Sequence, residues 1–513
     1  MDCFYAQVEA VRLGIDCRTE PYILSQWGNL IAVNYPARSC GIARFNTVEE
    51  AREKCPHVRV SHVATYAVGE SEYKYHVNPR KGTHKVALEP YREASRHIFN
   101  ILRSFEGVEV EKGSVDEAFL DVTVAAQREL ESVELLHSQR LHSLEDILEP
   151  STHVIPDRQD EIDVWLRVRG KKFCDVFDAA MHPKGSLEHA LLLGAAARVV
   201  WSIRQKIRQE LHYDCSAGIA HNKLLSKFIS SRHKPNQQTL LLPDRVASAI
   251  WDTQYHNFRG FGGKFGETIR HICGGAELCC EAWLVPKEVM RGVFGDDDAE
   301  YAYQRLRGYS SENITKRSIA KTLMASKVFR PAATSPDGVR KWVTVLSSEL
   351  CARYRGFCDT YQTKGHTLNV KLGNMGLSQL GGVVNKTLVL PELVTTETLI
   401  AAAMQCVTAT LVAQPGVAVN AVTLTIGSFK KQVDECGSGR GQQLALTSFF
   451  SAKGKEKRRR SEPDEAVVVT LSSTSSSSST VEEWREQSHD AEESAIGVQE
   501  ARDDDDGDVI IIE

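Results

Sequence analysis

The sequence predicts a multidomain α/β protein followed by an unstructured tail, and three observations carry that expectation. At 513 residues the chain exceeds what one core organises, since domains run to about 100–200 residues. Through residue 430, short apolar runs bounded by turn residues alternate with segments whose apolar positions repeat at helical spacing. After residue 431 the chain turns to Gly, Ser, Thr and blocks of like charge, too poor in apolar side chains to offset the entropy of ordering.

The elements follow in order. "MDCFYAQVEA" (1–10) opens in residues of interior type, with Cys3, Phe4, Ala6 and Val8 already apolar. "NLIAVNY" (29–35) reads as a strand, and "NTVEEAREKCP" (46–56) as a helix that starts at an Asn cap and stops at Pro56. A second helix, 91–105, carries Ile98, Ile101, Leu102 and Phe105 on one face. A third, 196–211, carries a stripe of Val199, Val200, Ile203, Ile207 and Leu211. "CSAGIAHNKLLSKFISSRHKPNQQT" (215–239) is a Gly-containing strand, then an amphipathic helix with Leu224, Leu225, Phe228 and Ile229 inward. In "FRGFGGKFGE" (258–267), glycines before a helix let backbone amides approach a phosphate.

The net charge of −5 hides a split. Residues 461–513 hold sixteen Asp and Glu against two Arg, which leaves the first 460 residues at +9. A basic body permits binding to a polyanion. Thirteen cysteines without a CxxC pair point to reduced thiols in a cytosolic or nuclear protein, and adjacent Cys279 and Cys280 read as small buried residues. The longest apolar run, 189–201, is short and carries Arg198, and the N-terminus lacks a basic stretch leading into an apolar core. Neither a membrane span nor a secretory leader is expected.

Chemistry concentrates first in "GSVDEAFLDV" (113–122), where Asp116 adjoins Glu117 between β-favouring residues. Successive side chains on a regular strand face opposite ways, so the pair can share a metal only at a bend, which Gly113 and Ser114 can supply. The alternative is one exposed and one hydrogen-bonded carboxylate. In "YPARSCGIAR" (35–44), Tyr35, Arg38 and Arg44 follow a strand end, and guanidinium groups pair phosphate oxygens bidentately. Lys223, Lys227 and Lys234 add positive charge, or else form a solvated helix face.

Together, "MDCFYAQVE", "IAVNYPARSCGIAR", "SVDEAFLDVT" and "CSAGIAHNKLLSKFISSRHKPN" make residues 1–431 resemble the Y-family DNA polymerases, most closely their eukaryotic eta branch. The resemblance implies a right-hand fold plus a little-finger domain: a remnant of a palm strand at 1–4, fingers at 5–80, palm at 81–243, thumb with a helix-hairpin-helix-like turn at 244–314, and little finger at 315–431. It assigns Asp116 and Glu117, with the Met1 carbonyl, to two Mg²⁺ ions, Mn²⁺ being an alternative, and nucleotidyl transfer without proofreading follows. Tyr35, Arg38 and Lys234 match residues on the incoming triphosphate, with Lys227 nearby and the backbone amides of Cys3 and Phe4 alongside. Tyr5 matches the ring that blocks a ribose 2′-hydroxyl, Arg44 the residue over the incoming base, and Gln26 the one beside the template. The glycine turn and basic residues 316–330 would track primer-template DNA. Bypass of UV-type damage goes with this branch, while iota- and kappa-type polymerases are the sister readings.

A non-catalytic scaffold that binds DNA and the clamp is the competing class of function. Family members place the first metal-binding Asp just before the residue matching Met1, and Asp2 is a poor substitute about 6–7 Å further along a strand. The expectation is an N-terminally incomplete chain that lacks a central palm strand, binds Mg²⁺ badly and incorporates little nucleotide.

In the tail, Gln443, Leu446, Phe449 and Phe450 form Q-x-x-L-x-x-F-F, and adjacent aromatics without a core suit an external groove, as in peptides that bind the sliding clamp PCNA. "KGKEKRRR" (453–460) resembles a nuclear import signal, so the nucleus is the expected compartment. With no cysteine after Cys436, the ubiquitin-binding zinc finger of many eta polymerases is not expected. "DEAVVVTL" (464–471) and "DDDDGDVIIIE" (503–513) resemble SUMO-interacting segments, which add a strand to a sheet edge.

Overall fold

A computed structural model describes residues 1–137, 140–178, 181–183, 185–315, 320–373, 384–413, 418–431 and 467–472. The candidate clamp peptide, the basic run at 453–460 and the acidic end lie outside them.

Residues 1–3 are a turn where a strand remnant was expected. Cys3 takes a left-handed backbone (φ 40°), which extended structure cannot accommodate, and α1 (Phe4–Leu13) starts at the next residue. Every residue from Phe4 to Ala10 is buried. β1 (Tyr22–Gln26), β2 (Asn29–Val33) and β3 (Arg59–His62) form a small sheet in the order β2-β1-β3. α2 (Tyr35–Ser39) is capped by Asn34, whose Oδ1 accepts from the Ala37 amide at 3.1 Å. α3 (Val48–Lys54) begins at Thr47, one residue after the expected Asn cap, because Thr47 and Glu50 make a reciprocal capping box. β4 (Thr65–Ala67) pairs with β5 (His84–Val86).

The central sheet comes from α4 (Glu89–Arg103), β6 (Glu109–Lys112), β7 (Ala118–Asp121), α5 (Thr123–His137), β8 (Thr152–Val154), α6 (Gln159–Val168), α7 (Phe173–Val176), α8 (Leu187–Leu211), β9 (Ser216–Ala220), α9 (Lys223–Ile229) and β10 (Gln238–Leu240). α8 is longer than the stripe at 196–211 suggested, starting at a Ser186 cap. α1, α4 and α8 share one core with the sheet, including Phe4, Tyr5, Leu102, Leu120, Val200, Ile203 and Ile219.

Helices α10 (Val246–Ile250), α11 (Gly263–Ile272), α12 (Cys279–Trp283), α13 (Lys287–Phe294) and α14 (Asp296–Arg305) build a second core. Cys279 and Cys280 are buried in it, as read from their chemistry. Ile162, Leu166, Val176 and Phe177 of α6 and α7 also pack there. The segment 155–177, expected to belong with the central sheet, therefore shares its apolar surface with residues 246–306.

The C-terminal unit is an antiparallel sheet of β11 (Thr322–Ala333), β13 (Thr367–Gly373), β14 (Val384–Val389) and β15 (Val419–Gly427), ordered β11-β15-β13-β14, with β12 (Thr363–Lys364) and β16 (Lys430–Lys431) as a side pair. α15 (Pro336–Tyr361) and α16 (Thr396–Ala413) pack on it. Among the described helices α16 alone has the length and apolarity of a membrane span, and its Leu399, Ala403 and Val407 lie in this core. The unit meets the N-terminal body through buried Glu349 of α15, 2.9 Å from Lys85 and 3.7 Å from Arg92, with Arg353 of the same helix at 3.0 Å.

One stretch of the expected unstructured tail is a strand. β17 (Val468–Ser472) sits in the middle of the central sheet, whose order is β6-β7-β17-β9-β10-β8. The central strand position, expected to lack an occupant, is filled by part of the segment read as a SUMO-type element. The same β-branched run that suits strand addition adds to the chain's own sheet.

Candidate active site

The carboxylate pair sits at a tight hairpin. β6 and β7 pair up to Lys112 and Ala118, and the Glu117 carbonyl accepts from the Gly113 and Ser114 amides at 2.9 and 3.1 Å. Asp116 precedes β7, so strand alternation does not separate it from Glu117. Ser114 Oγ donates to Asp116 Oδ1 at 2.6 Å, and the Asp116 carbonyl accepts from the Met1 nitrogen at 2.7 Å. The expected bend is present, and it brings the Met1 backbone against Asp116. Asp116 is buried, whereas Glu117 is partly exposed and ion-paired to Lys227.

Lys227 projects from α9, which Asn222 caps by accepting from the Leu225 amide at 2.9 Å. Lys234 follows α9, and its buried Nζ lies 3.8 Å from Asp2 Oδ1. The Asp2 carboxylate also accepts from Ser216 Oγ at 2.7 Å and from the Asn236 amide at 2.8 Å. Burial lowers the Lys234 pKa to about 8; the Lys227 charge adds to this and Asp2 opposes it.

From the N-terminal side, the Arg38 guanidinium lies 4.8 Å from the Tyr35 ring centre, and its Nε donates to the Val33 carbonyl at 3.0 Å. Arg44 is half-buried over Phe45; burial lowers its pKa, and its Nε has no hydrogen-bond partner. Tyr5 stands edge-on to Tyr91, ring centres 4.2 Å apart. Burial raises the Tyr5 pKa, Asp116 reinforces the shift, and Arg92 and Arg44 oppose it, so these charges surround one hydroxyl. Phe4 is buried against Tyr5 and Tyr213, and the Cys3 carbonyl accepts the Gln7 amide at 3.1 Å. Gln26 ends β1 at a two-residue turn through Trp27 (φ 54°) and Gly28 (φ 98°), whose twist suits a hairpin.

The structure thus joins Asp116, Glu117, Lys227, Tyr5 and Arg44 around one site, with Lys234 sensing both carboxylates. Sequence reasoning named Ser114 only for the bend, and missed three supporting contacts: Ser114 with Asp116, Asp2 with Lys234, and Tyr91 with Tyr5. Ser114 was legible as a short hydroxyl two positions before a carboxylate at a Gly turn. Asp2 as partner of Lys234, and Tyr91 as the wall behind Tyr5, depend on contacts between distant segments and leave no local signal.

Among the described residues no cluster of three or more His, Cys, Asp or Glu could hold a metal. Two hard carboxylates suit a divalent ion such as Mg²⁺ that draws its remaining oxygens from phosphate and water. The donor set fits such an ion once Glu117 turns from Lys227.

The model of the impB/mucB/samB family matches residues 1–231, and that of the family's C-terminal domain matches residues 320–444. The chain is 34% identical over 355 residues to N-acetyltransferase eso1 of Schizosaccharomyces pombe, covering 69% of this chain and 39% of that protein. It is 28% identical over 362 residues to DNA polymerase eta of Drosophila melanogaster, covering 68% and 38% respectively. Against DNA polymerase eta of Saccharomyces cerevisiae the identity is 27% over 409 residues, covering 70% and 64%. The chain spans less than two thirds of the length of each of these relatives.

Proposed function

The chain belongs to the impB/mucB/samB family, the Y-family DNA polymerases, and from that premise we propose that it extends a DNA primer by template-directed nucleotidyl transfer, bypassing UV-type damage without proofreading. The observation that carries this reading is the Asp116–Glu117 hairpin facing Lys227, Lys234 and Arg44. In these terms the central sheet is the palm, residues 5–80 the fingers, 244–314 the thumb and 315–431 the little finger.

Asp116, Glu117 and the Met1 carbonyl would hold Mg²⁺, which when bound lowers the pKa of the primer hydroxyl and neutralises the leaving pyrophosphate. Lys234 and Arg38, with Tyr35, hold the triphosphate. By the family resemblance the Cys3 and Phe4 amides, at the start of α1, join them. Lys227 keeps Glu117 neutralised until substrate arrives and then turns to phosphate. Gln26 lies beside the template. The test is extension of a primed template, with and without a thymine dimer, by the chain as given and by one with an Asp-ended strand restored ahead of Met1; no incorporation by either would end the reading.

Two outcomes follow for single residues. Tyr5 is held by Tyr91 where a 2′-hydroxyl would meet the ring, so Tyr5→Ala lowers discrimination against ribonucleotides by roughly 100-fold, ~3 kcal/mol. Competitive incorporation of ribo- and deoxynucleotides measures this. Lys234 is charged below its pKa of about 8 and neutral above it, so triphosphate affinity falls as pH rises from 7 to 9. Lys234→Arg keeps its charge and flattens that profile, read as KM against pH. A flat profile in the parent protein would remove Lys234 from the triphosphate.

A scaffold without catalysis is the second reading. It is favoured by the absence, among the described residues, of a group of three or more His, Cys, Asp or Glu able to hold a metal, and by the pairing of Glu117 with Lys227.

In the tail, Gln443, Leu446, Phe449 and Phe450 dock on the PCNA clamp, and residues 453–460 direct the chain to the nucleus. Phe449→Ala with Phe450→Ala weakens clamp binding by at least about 100-fold in titration, since aromatic anchors dominate such contacts. Unchanged affinity would exclude this peptide. SUMO binding through 464–471 requires β17 to leave the palm, whereas binding through 503–513 does not.

A further inference from the structure

A carboxylate lies in the core behind Tyr5. Glu9 stands four residues along α1 from Tyr5, so the two side chains leave the helix on the same face, one turn apart. Glu9 is fully buried, and donors from three segments converge on it. Tyr91 Oη donates to Oε1 at 2.9 Å, Tyr75 Oη donates to the same oxygen at 3.2 Å, and Arg12 Nε donates to Oε2 at 2.7 Å. The Arg12 guanidinium also lies 3.5 Å from the Tyr75 ring centre, so cation, ring and carboxylate close one cluster.

Packing alone does not call for a carboxylate there. The neighbouring buried positions of α1 include Phe4, Ala6, Val8 and Ala10, and an apolar side chain at position 9 would fill the space without the cost of desolvating a charge. What the carboxylate adds is a fixed acceptor. Tyr91, the third residue of α4, is held at both ends: its ring meets Tyr5 at 4.2 Å with 69° between the planes, and its hydroxyl ends on Glu9. Burial, reinforced by Glu9, raises the Tyr91 pKa well above its ordinary value, so the hydroxyl keeps its proton and remains a donor. An edge-to-face ring contact by itself leaves both rings free to tilt, and the hydrogen bond removes that freedom from Tyr91.

We propose that Glu9 is a positioning residue for sugar selection: through Tyr91 it fixes the Tyr5 ring where the 2′ position of an incoming nucleotide meets it. Glu9 acts on the sugar only through the two rings. The inference rests on the polymerase reading and deepens it, because it assigns part of the discrimination between ribose and deoxyribose to a buried cluster one helical turn behind the ring that meets the sugar.

Competitive incorporation of ribo- and deoxynucleotides opposite an undamaged template tests it, with the chain as given or with the Asp-ended strand restored ahead of Met1. Tyr91→Phe keeps the ring and deletes only the hydroxyl. It should lower discrimination against ribonucleotides by about 10-fold, while kcat and KM for deoxynucleotides stay within about twofold of the parent. With Tyr5→Ala already present, Tyr91→Phe should change discrimination by less than about twofold, because Tyr91 acts through the missing ring. An equal loss in both backgrounds, or parental discrimination in Tyr91→Phe, overturns the inference and leaves the polymerase reading standing. Should Tyr91→Phe fold poorly, Glu9→Met asks the same question: it keeps the volume, offers no oxygen and should lose discrimination by about 10-fold. Glu9→Gln keeps the oxygen and should stay within about twofold of the parent. Equal discrimination in Glu9→Met and Glu9→Gln would remove the hydrogen bond as the cause and overturn the inference. A parent that incorporates neither sugar ends the polymerase reading, and this inference with it.

Discussion

Asp116→Asn abolishes nucleotide incorporation, by at least about 10³-fold or ~4 kcal/mol of transition-state stabilisation, and leaves the fold intact. The shape of the side chain is conserved, and Oδ1 can still accept from Ser114 Oγ. The Met1 hydrogen bond runs to the Asp116 carbonyl, which the substitution leaves in place. What is lost is one of two negative charges able to hold a divalent ion, and Glu117 is already paired to Lys227. Stability should change little, by about 1 kcal/mol, because no cavity is created and Asp2 still offsets the Met1 ammonium. Single-turnover primer extension with saturating Mg²⁺ and triphosphate measures the effect. Retention of a tenth or more of the parent rate would place the chemistry elsewhere.

Gly218→Ala is a severely damaging substitution for the addition of a single methyl group. Gly218 lies in β9, where α9 crosses so closely that a Cβ would overlap the Ser226 carbonyl and stand 2.7 Å from the Ser230 nitrogen and 2.8 Å from Ile229 Cγ1. Two of these are backbone atoms, so no rotamer change relieves the clash. The helix must lift from the sheet, carrying Lys227 away from Glu117 and Ser226 away from Thr470. A loss of about 3 kcal/mol or more is expected, a drop of roughly 6–12 °C in melting temperature, with the proposed primer extension falling alongside. Gly292→Ala is the control. It lies in α13 with nothing within 4 Å of the added methyl, so it should be neutral or stabilising by up to ~1 kcal/mol. Equal melting temperatures for the two variants would refute the packing argument.

Much of the site was legible because its parts are local. Gly113 and Ser114 announced the bend that carries Asp116 and Glu117, but the helix over Tyr35–Ser39 that positions Arg38 was not read: its Asn34 cap and Tyr35 lie where the strand over 29–35 was expected. The helix carrying Lys227 showed in the spacing of Leu224, Leu225, Phe228 and Ile229. What else escaped the reading is non-local. Thr47 displaced Asn46 as a cap because Glu50 completes its box. Residues 155–177 joined the core of 246–306 through Ile162, Leu166 and Phe177, and no pattern in the segment itself names that partner. Val467–Leu471 read correctly as strand-forming, but alternation specifies a strand and not the sheet it enters.

The placement of β17 also sets the order in which the chain can fold during synthesis. β9 leaves the ribosome roughly 250 residues before β17, an interval of about 13–50 s at ordinary elongation rates. The pairings of Val468 with Asp121 and Ala220 can therefore form only after the cores of residues 246–306 and 322–427 have left the ribosome, so this strand joins the sheet last.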